Sequence, residues 1–287
     1  MDLSIIIVNY KTFEITKNAI DSVLKSRTNY NYDIYLVDNA SNDGSFEKLK
    51  SYYSNENKIN FILSDINGGF AYANNLALNK SSSDYVLLLN SDTLVKEDTL
   101  QLSMDYIKSH SDVGALGVKV LLSDNSLDKA CRRSFPNPTN SFFRLFHIPV
   151  KNDDLNNYNL DNLDDNGIYE IDCLTGAFML INFKDLDKIA YLDEDFFMYG
   201  EDIDLCYRIK EAGYKIIYYG KTSITHFKGS SSKKQKSKLV YEFYRAMYIF
   251  YHKHYTKKYN PLLNFIIYIG IAILCLVKLI INVFKHD

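Results

Sequence analysis

The chain of 287 residues contains no tryptophan, only four prolines, and four cysteines (Cys131, Cys173, Cys206, Cys275) that never form a Cys-x-x-Cys pair. That spacing excludes the common zinc ribbons, and scattered thiols fit a reducing compartment better than a disulfide framework. Charge of one sign is also lacking: the formal net charge is -2, so no global basic field exists to hold nucleic acid. No Gly-x-Gly-x-x-Gly follows the first apolar run and no P-loop pattern occurs, so dinucleotide and P-loop sites lack their fingerprints. No cationic leader precedes Leu3, and a cytosolic start is expected.

What is present is a regular alternation. With 47% apolar residues the chain can bury one large core or two modest ones. Apolar, β-branched runs at Leu3 to Val8, Asp33 to Val37 and Ile59 to Leu63 predict strands, and helical spacing predicts helices over Glu14 to Lys25 and Phe46 to Tyr53. A short helix over Ala71 to Leu78 leads to Tyr85-Val86-Leu87-Leu88-Leu89, the pattern of a strand buried on both faces. A helix over Glu97 to Lys108 and strands over Val113 to Leu122, Ile168 to Ile181 and Lys215 to Tyr219 follow. Strand–helix alternation implies right-handed crossovers and a parallel sheet. The stretch from 123 to 168 is irregular, with Asn152 to Asn166 read as a mobile surface loop.

The early strands end in oxygen-bearing residues on one edge of that sheet, where open α/β folds bind ligands. Asn90-Ser91-Asp92 closes the central strand, and a carboxylate delivered there can hold a divalent metal against phosphate, although Asn-Ser-Asp is also ordinary turn composition. Asp38 can accept from a nucleobase N–H, or it and Asp43 merely turn the chain and cap a helix. Asn67-Gly68-Gly69 permits close backbone approach to a ligand, or simply a tight turn. Arg132 and Arg133 are within the means of a phosphate contact but equally ordinary as surface arginines.

A second chemical stretch runs from Asp193 to Arg208, with a helix from about Glu201 to Gly213. Its acids Glu201, Asp202 and Asp204 suit a helix N-terminus, but the apolar Phe196-Phe197-Met198 lead-in also shields a carboxylate and makes it a better general base. His226 precedes Gly229-Ser230-Ser231, a loop able to offer backbone N–H groups to phosphate. Ser237 to Lys258 predicts a basic amphipathic helix. Leu262 to Phe284 is long and apolar enough to span a bilayer, with an in-plane or partner-binding helix as the competing reading. The expected organisation is a catalytic domain over 1-236, the basic helix over 237-260 and a membrane-attachment helix over 261-287, on the cytoplasmic face of the cell membrane.

Taken in order, Ser4-Ile5-Ile6-Ile7-Val8-Asn9-Tyr10, Val37 to Ser45, Asn67-Gly68-Gly69-Phe70-Ala71-Tyr72-Ala73-Asn74-Asn75, Leu87 to Thr93, Thr175 to Leu180, Phe196 to Cys206 and His226 to Ser231 resemble glycosyltransferase family 2, in its rhamnosyltransferase-like branch. The resemblance covers Leu3 to Tyr255. It implies a GT-A fold: a Rossmann-like, mostly parallel central sheet flanked by helices, here with C-terminal membrane-associated helices. It implies that Asp38 contacts the donor base with main-chain help around Asn9 and Tyr10, that Asn67 and Gly69 line the diphosphate pocket, and that Asn75 supports it. Asn90, Ser91 and Asp92 occupy the family's DxD position; Asp92 would bind metal, while Asn90, replacing the first acid, would hold ribose. Asp202 matches the catalytic base and His226 a metal or diphosphate contact, an imidazole suiting Mn2+ better than Mg2+.

The implied activity is inverting, metal-dependent transfer of a sugar from a dTDP- or UDP-linked donor, dTDP-L-rhamnose foremost, to a hydroxyl of a glycan or lipid-linked glycan. Closure over the donor is expected from the segment between Arg132 and Asn166. The alternatives are a nucleotidyltransferase, which lacks its early Gly-rich basic loop here, and a catalytically silent membrane-tethered binding module.

Overall fold

The computed structural model describes residues 1–137, 158–228 and 236–284. The expected Gly229-Ser230-Ser231 phosphate loop and the middle of the expected closing segment lie outside the described residues. The chain runs β1 (Leu3–Asn9), α1 (Phe13–Leu24), β2 (Tyr32–Asp38), α2 (Ser45–Tyr52), β3 (Ile59–Leu63), α3 (Gly69–Leu78) and β4 (Tyr85–Asn90). Next come β5 (Thr93–Val95), α4 (Thr99–Ser109), β6 (Val113–Leu122), β7 (Ile168–Ile171), β8 (Phe178–Asn182) and the one-turn α5 (Phe183–Leu186). The last are α6 (Glu201–Glu211), β9 (Lys215–His226), α7 (Lys236–His254) and α8 (Pro261–Phe284).

One sheet of nine strands takes the order β3-β2-β1-β4-β8-β6-β9-β5, with β7 paired to β9. The first half is parallel, and its register places Asn9 opposite Asp38 and Val8 opposite Asn90. The chain steps outward from β1 to β3, then returns to lay β4 on the other side of β1. That reversal opens the crevice in which ligands of such sheets sit, at the ends of β1 and β4. Ile5, Ile6, Ile7, Val86 and Leu87 have no exposed surface, as expected of strands covered on both faces. Each such side chain contributes roughly 1.5–3 kcal/mol, which makes the crevice floor rigid.

The second half of the sheet is mixed, and here the expectations need correction. Ile168 to Ile181 is two strands: β7 pairs antiparallel with β9, and β8 inserts antiparallel between β4 and β6. The break falls at Cys173 to Ala177, whose backbone leaves the ladder to line the crevice. β9 continues past Tyr219 to His226 through a register shift against β6, so His226 is the last residue of a strand. Residues 158–167 are anchored too: Arg132 pairs with Asp165 at 2.7 Å, Tyr218 donates to the Asp165 carbonyl, and Gly220 N donates to Gly167.

Candidate active site

Asn9 at the end of β1 is fully buried. Its Nδ2 donates to Asp38 Oδ1 at 2.6 Å and to the hydroxyls of Ser41 and Ser45. Its Oδ1 accepts from Thr12 and Thr16. Asp38 is 1% exposed, and its carboxylate also takes the Ser41 amide and hydroxyl. The resemblance implies a donor contact for Asp38 with main-chain help around Asn9; the Asn9 side chain, and most of the Asp38 carboxylate, fasten the β1 and β2 ends to the following turn. Asp43 takes the capping role, accepting from Ser45 N.

Asn39, not singled out in the sequence, carries the connection onward. It donates to Asn67 Oδ1 at 3.0 Å and to the Gly69 carbonyl, and accepts from Gly68 N. Gly69 has φ +92, and a Cβ there would overlap the Phe197 carbonyl oxygen. That same oxygen accepts from Phe70 N at 2.9 Å. Glycine is thus required at 69 by the approach of the chain entering α6. Asn75 is likewise committed to protein, clasping Leu192 N and O and reaching Glu194.

α6 begins after a sharp reversal in which Tyr199 and Gly200 both take positive φ. This aims Asp202 into the crevice, where Arg133 Nη2 meets its Oδ2 at 2.7 Å and Ile203 N meets its Oδ1. Arg133, set aside as an ordinary surface residue, is 11% exposed and also donates to the Leu174 carbonyl. Its chain position is fixed by paired hydrogen bonds with Cys173. The carboxyl that the apolar lead-in shields most is the neighbouring Glu201: burial, reinforced by the Asp202 charge, pushes it up to about 8.

From Asp202 the rim closes back to β4. The Asp202 Cβ lies 3.9 Å from the Cβ position of Gly176, and the next residue, Ala177, accepts from Asn90 N at 3.1 Å. Asn90 and Ser91 sit half-buried at the strand end, and Tyr10 is half-buried across from them at the end of β1. Beyond, Asp92 Oδ1 stands 3.1 Å from His226 Nε2, and Phe227 N donates to the Asp92 carbonyl. Contacts and short stretches of chain therefore run round a ring from Asn9 through Asn39, Asn67, Phe197, Asp202, Gly176 and Asn90 to Asp92 and His226.

Behind His226 lies Asp128, which no sequence pattern singles out. Asp128 Oδ2 is 3.6 Å from His226 Nδ1, and its Oδ1 receives Lys228 Nζ and Ala130 N. Burial opposes charge on His226, but the two flanking carboxylates outweigh it and raise its pKa to about 9. Burial works against Asp128 as well, and the neighbouring His226 and Lys228 bring it down to about 2. At 3.6 Å the His226–Asp128 contact is an ion-pair distance rather than a hydrogen bond, and both facing atoms lack hydrogen-bond partners. Arg133 Nε and Glu201 Oε2 are also buried without partners.

The Asp92 and His226 donors fit a divalent cation. Their 3.1 Å separation is close to the edge of an octahedron with metal–ligand bonds of ~2.1 Å. Asp128 stands where an outer carboxylate orients a metal-bound imidazole. Among the described residues no three His, Cys, Asp or Glu form a complete cage. Cations that take their remaining ligands from phosphate and water need none. A cavity of about 380 Å³ beside Asp195, Tyr241 and Lys253 contains none of the ring residues.

A mixed central sheet with a parallel first half, flanked by helices, with an acidic helix start facing the crevice at its strand ends, is the architecture of the GT-A fold. The family model of Glycosyl transferase family 2 matches residues 4–190, and the chain belongs to that family. It is 30% identical to Rhamnosyltransferase WbbL of Escherichia coli over 55% of this chain and 61% of that protein. It is also 30% identical to the Low-salt glycan biosynthesis hexosyltransferase Agl10 of Haloferax volcanii, over 75% and 64%. The chain thus spans under two thirds of these relatives' length. The fold matches the mannosyltransferase PcManGT of Pyrobaculum calidifontis in complex with GDP-Man and Mn2+ at a TM-score of 0.59, 15% identity, over 88% of this chain and 63% of that one.

Proposed function

We propose that the chain transfers a sugar, with inversion, from a nucleotide-diphosphate donor to a hydroxyl of a growing cell-surface glycan at the cytoplasmic face of the membrane. dTDP-L-rhamnose is the first donor to try, on the likeness to WbbL, and UDP-sugars the second. The observation that carries the reading is the ring: Asp92–His226 and Arg133–Asp202 face one crevice at the β1/β4 reversal, joined through Asn90, Ala177 and Gly176.

Asp92 and His226 would hold the divalent cation, with Asp128 behind the imidazole. Bound there, the cation supplies a Lewis acid that neutralises the departing diphosphate. Tyr10, Asp38 and Asn90 border the nucleoside end, and the 67–69 turn borders the diphosphate. Arg133 and Ile203 N each hold one oxygen of Asp202 and fix its direction. Asp202 then accepts the acceptor hydroxyl's proton as that oxygen bonds to the anomeric carbon from the face opposite the diphosphate. The anomeric carbon–oxygen bond breaks, its electron pair leaves with the diphosphate, and a single displacement inverts the configuration.

The test is release of nucleoside diphosphate from a panel of dTDP- and UDP-sugars with Mn2+ and a glycan acceptor. Acceptor-dependent release from one donor supports the reading. Formation of nucleoside triphosphate and sugar 1-phosphate when inorganic diphosphate is added would instead indicate a nucleotidyltransferase, and donor binding without release a silent module.

A further inference from the structure

We propose that α7 and α8 form a hairpin that lies flat on an anionic lipid bilayer, the outer face of α8 being the inserted surface, so that the chain does not cross the membrane. The proposal rests on the membrane half of the reading above and decides between its two forms.

α8 has a window of 22 residues, Pro261–Asn282, with mean hydropathy 2.5 and only 6% of it buried. Its two faces differ. Leu262, Phe265, Ile269, Ile273, Leu276 and Ile280 recur at helical spacing on the outer face, each 43% to 69% exposed. The polar residues Asn264, Tyr268 and Asn282 turn the other way, onto α7. Tyr251 donates to Asn264 Oδ1 at 2.6 Å, and Asn264 Nδ2 donates to the Thr256 carbonyl. Thr256 and Tyr268 share a hydrogen bond of 2.7 Å, and Asn282 donates to Ser237 at 2.8 Å. Ser237 opens α7 and Asn282 nearly closes α8, so the helices run antiparallel along their whole length.

α7 is in turn held on the catalytic part. Ala246, Ile249 and Phe250 pack with Phe196 and Tyr207. Arg245 donates to the Asp195 carbonyl, Lys253 pairs with Asp195 at 2.6 Å, and His254 meets Asp204 at 2.7 Å. A crossing α8 must either carry these charges into the bilayer or part from α7 and expose Asn264 and Asn282 to lipid, with Lys278 in the span in either case. Either is expensive in a medium without water. Lying flat breaks none of these contacts and inserts only the apolar face.

Charge names the occupant. From Phe243 to His286 the sequence contains no acidic residue but carries Arg245, Lys253, Lys257, Lys258, Lys278 and Lys285. Lys257 is exposed just before α8 and Lys278 near its end, so exposed cations border the helix at both ends. Such a border attracts anionic headgroups and repels a second copy of itself. The hairpin also reaches the crevice: Lys238 Nζ lies 3.9 Å over the Phe197 ring, and Phe197 is part of the ring of contacts. An acceptor carried on a lipid would arrive from this side.

The experiment is flotation of the full chain with vesicles of phosphatidylcholine and phosphatidylglycerol in equal parts. Wild type floats, and Ile269→Glu with Ile273→Glu lowers bound protein roughly tenfold or more, with nucleoside diphosphate release to a water-soluble acceptor unchanged. Asn260→Cys and Lys278→Cys, each on Cys275→Ser, are then treated with a membrane-impermeant maleimide outside the vesicles. Labelling at both positions without detergent supports the flat hairpin; protection of either until detergent is added means a span and overturns it. Failure to float, or a soluble dimer that the double Glu variant dissociates, also overturns it. Absence of nucleotide release by every form, with flotation intact, would sink the transferase reading and leave this one standing.

Discussion

Asp202→Asn separates the chemistry of the crevice from its architecture. The asparagine has nearly the same shape, and its oxygen can still accept from Arg133 or from Ile203 N. It cannot take a proton. A positioned general base accounts for about 10²- to 10⁴-fold in rate, or about 3 to 5 kcal/mol of barrier. Stability changes less. Breaking a buried ion pair outright costs about 3–5 kcal/mol, but here the Asp202 side chain is 14% exposed and the hydrogen bond from Arg133 survives. We therefore expect about 1–2 kcal/mol, read from urea unfolding. Donor affinity, measured by calorimetry with Mn2+, should hold within about twofold, because the proposed role of Asp202 is toward the acceptor. A variant that transfers sugar at a rate within a few-fold of wild type, with donor binding unchanged, would refute the assignment of Asp202 as base.

Three further outcomes follow from the same contacts. Asn9→Leu leaves Thr16 without its acceptor and Asp38 short of a donor in a fully buried setting, and should cost about 2–3 kcal/mol in urea unfolding. Asp128→Asn removes the charge behind His226 and should weaken Mn2+ binding by roughly tenfold to a hundredfold in calorimetry. Glu201 has a folded pKa of about 8 against 4.5 in the open chain, so its contribution to stability is whole below 4.5 and declines as pH rises towards 8. Glu201→Gln should flatten that decline and unfold later than wild type on the alkaline side of the window; an unchanged slope would mean that Glu201 ionises as freely in the fold as outside it.

The parallel half of the fold was legible because its signals are local. Ile5-Ile6-Ile7 and Val86-Leu87-Leu88 are short apolar runs ended by polar turns, and such runs have few other uses. The mixed half was not. Nothing within Ile168 to Ile181 says that its first residues pair with β9 and its last with β4, since that depends on partners from distant parts of the chain. The same holds for the end of β9, where the backbone passes Gly220 and resumes pairing with a shifted register.

The site divides along the same line, and the division has a cause. Asp92 and Asp202 stand at the ends of regular elements that a sequence pattern announces, whereas His226 closes a part of β9 that it does not. Arg133 and Asp128 stand in irregular chain, and only the fold brings them within reach of Asp202 and His226. A charged residue in a loop carries no local mark of whether it meets water or a buried partner. Asn9 and Asn75 show the complementary case: their side chains bond to protein, Asn9 to the turn after β2 and Asn75 to Leu192 and Glu194, which suits the main-chain and supporting roles that the resemblance implies for them. A crevice bounded by loop ends needs such fasteners, because a donor can be gripped only by turns that are themselves held still. The residues that grip and those that hold are drawn from the same polar types, and their partners alone distinguish them.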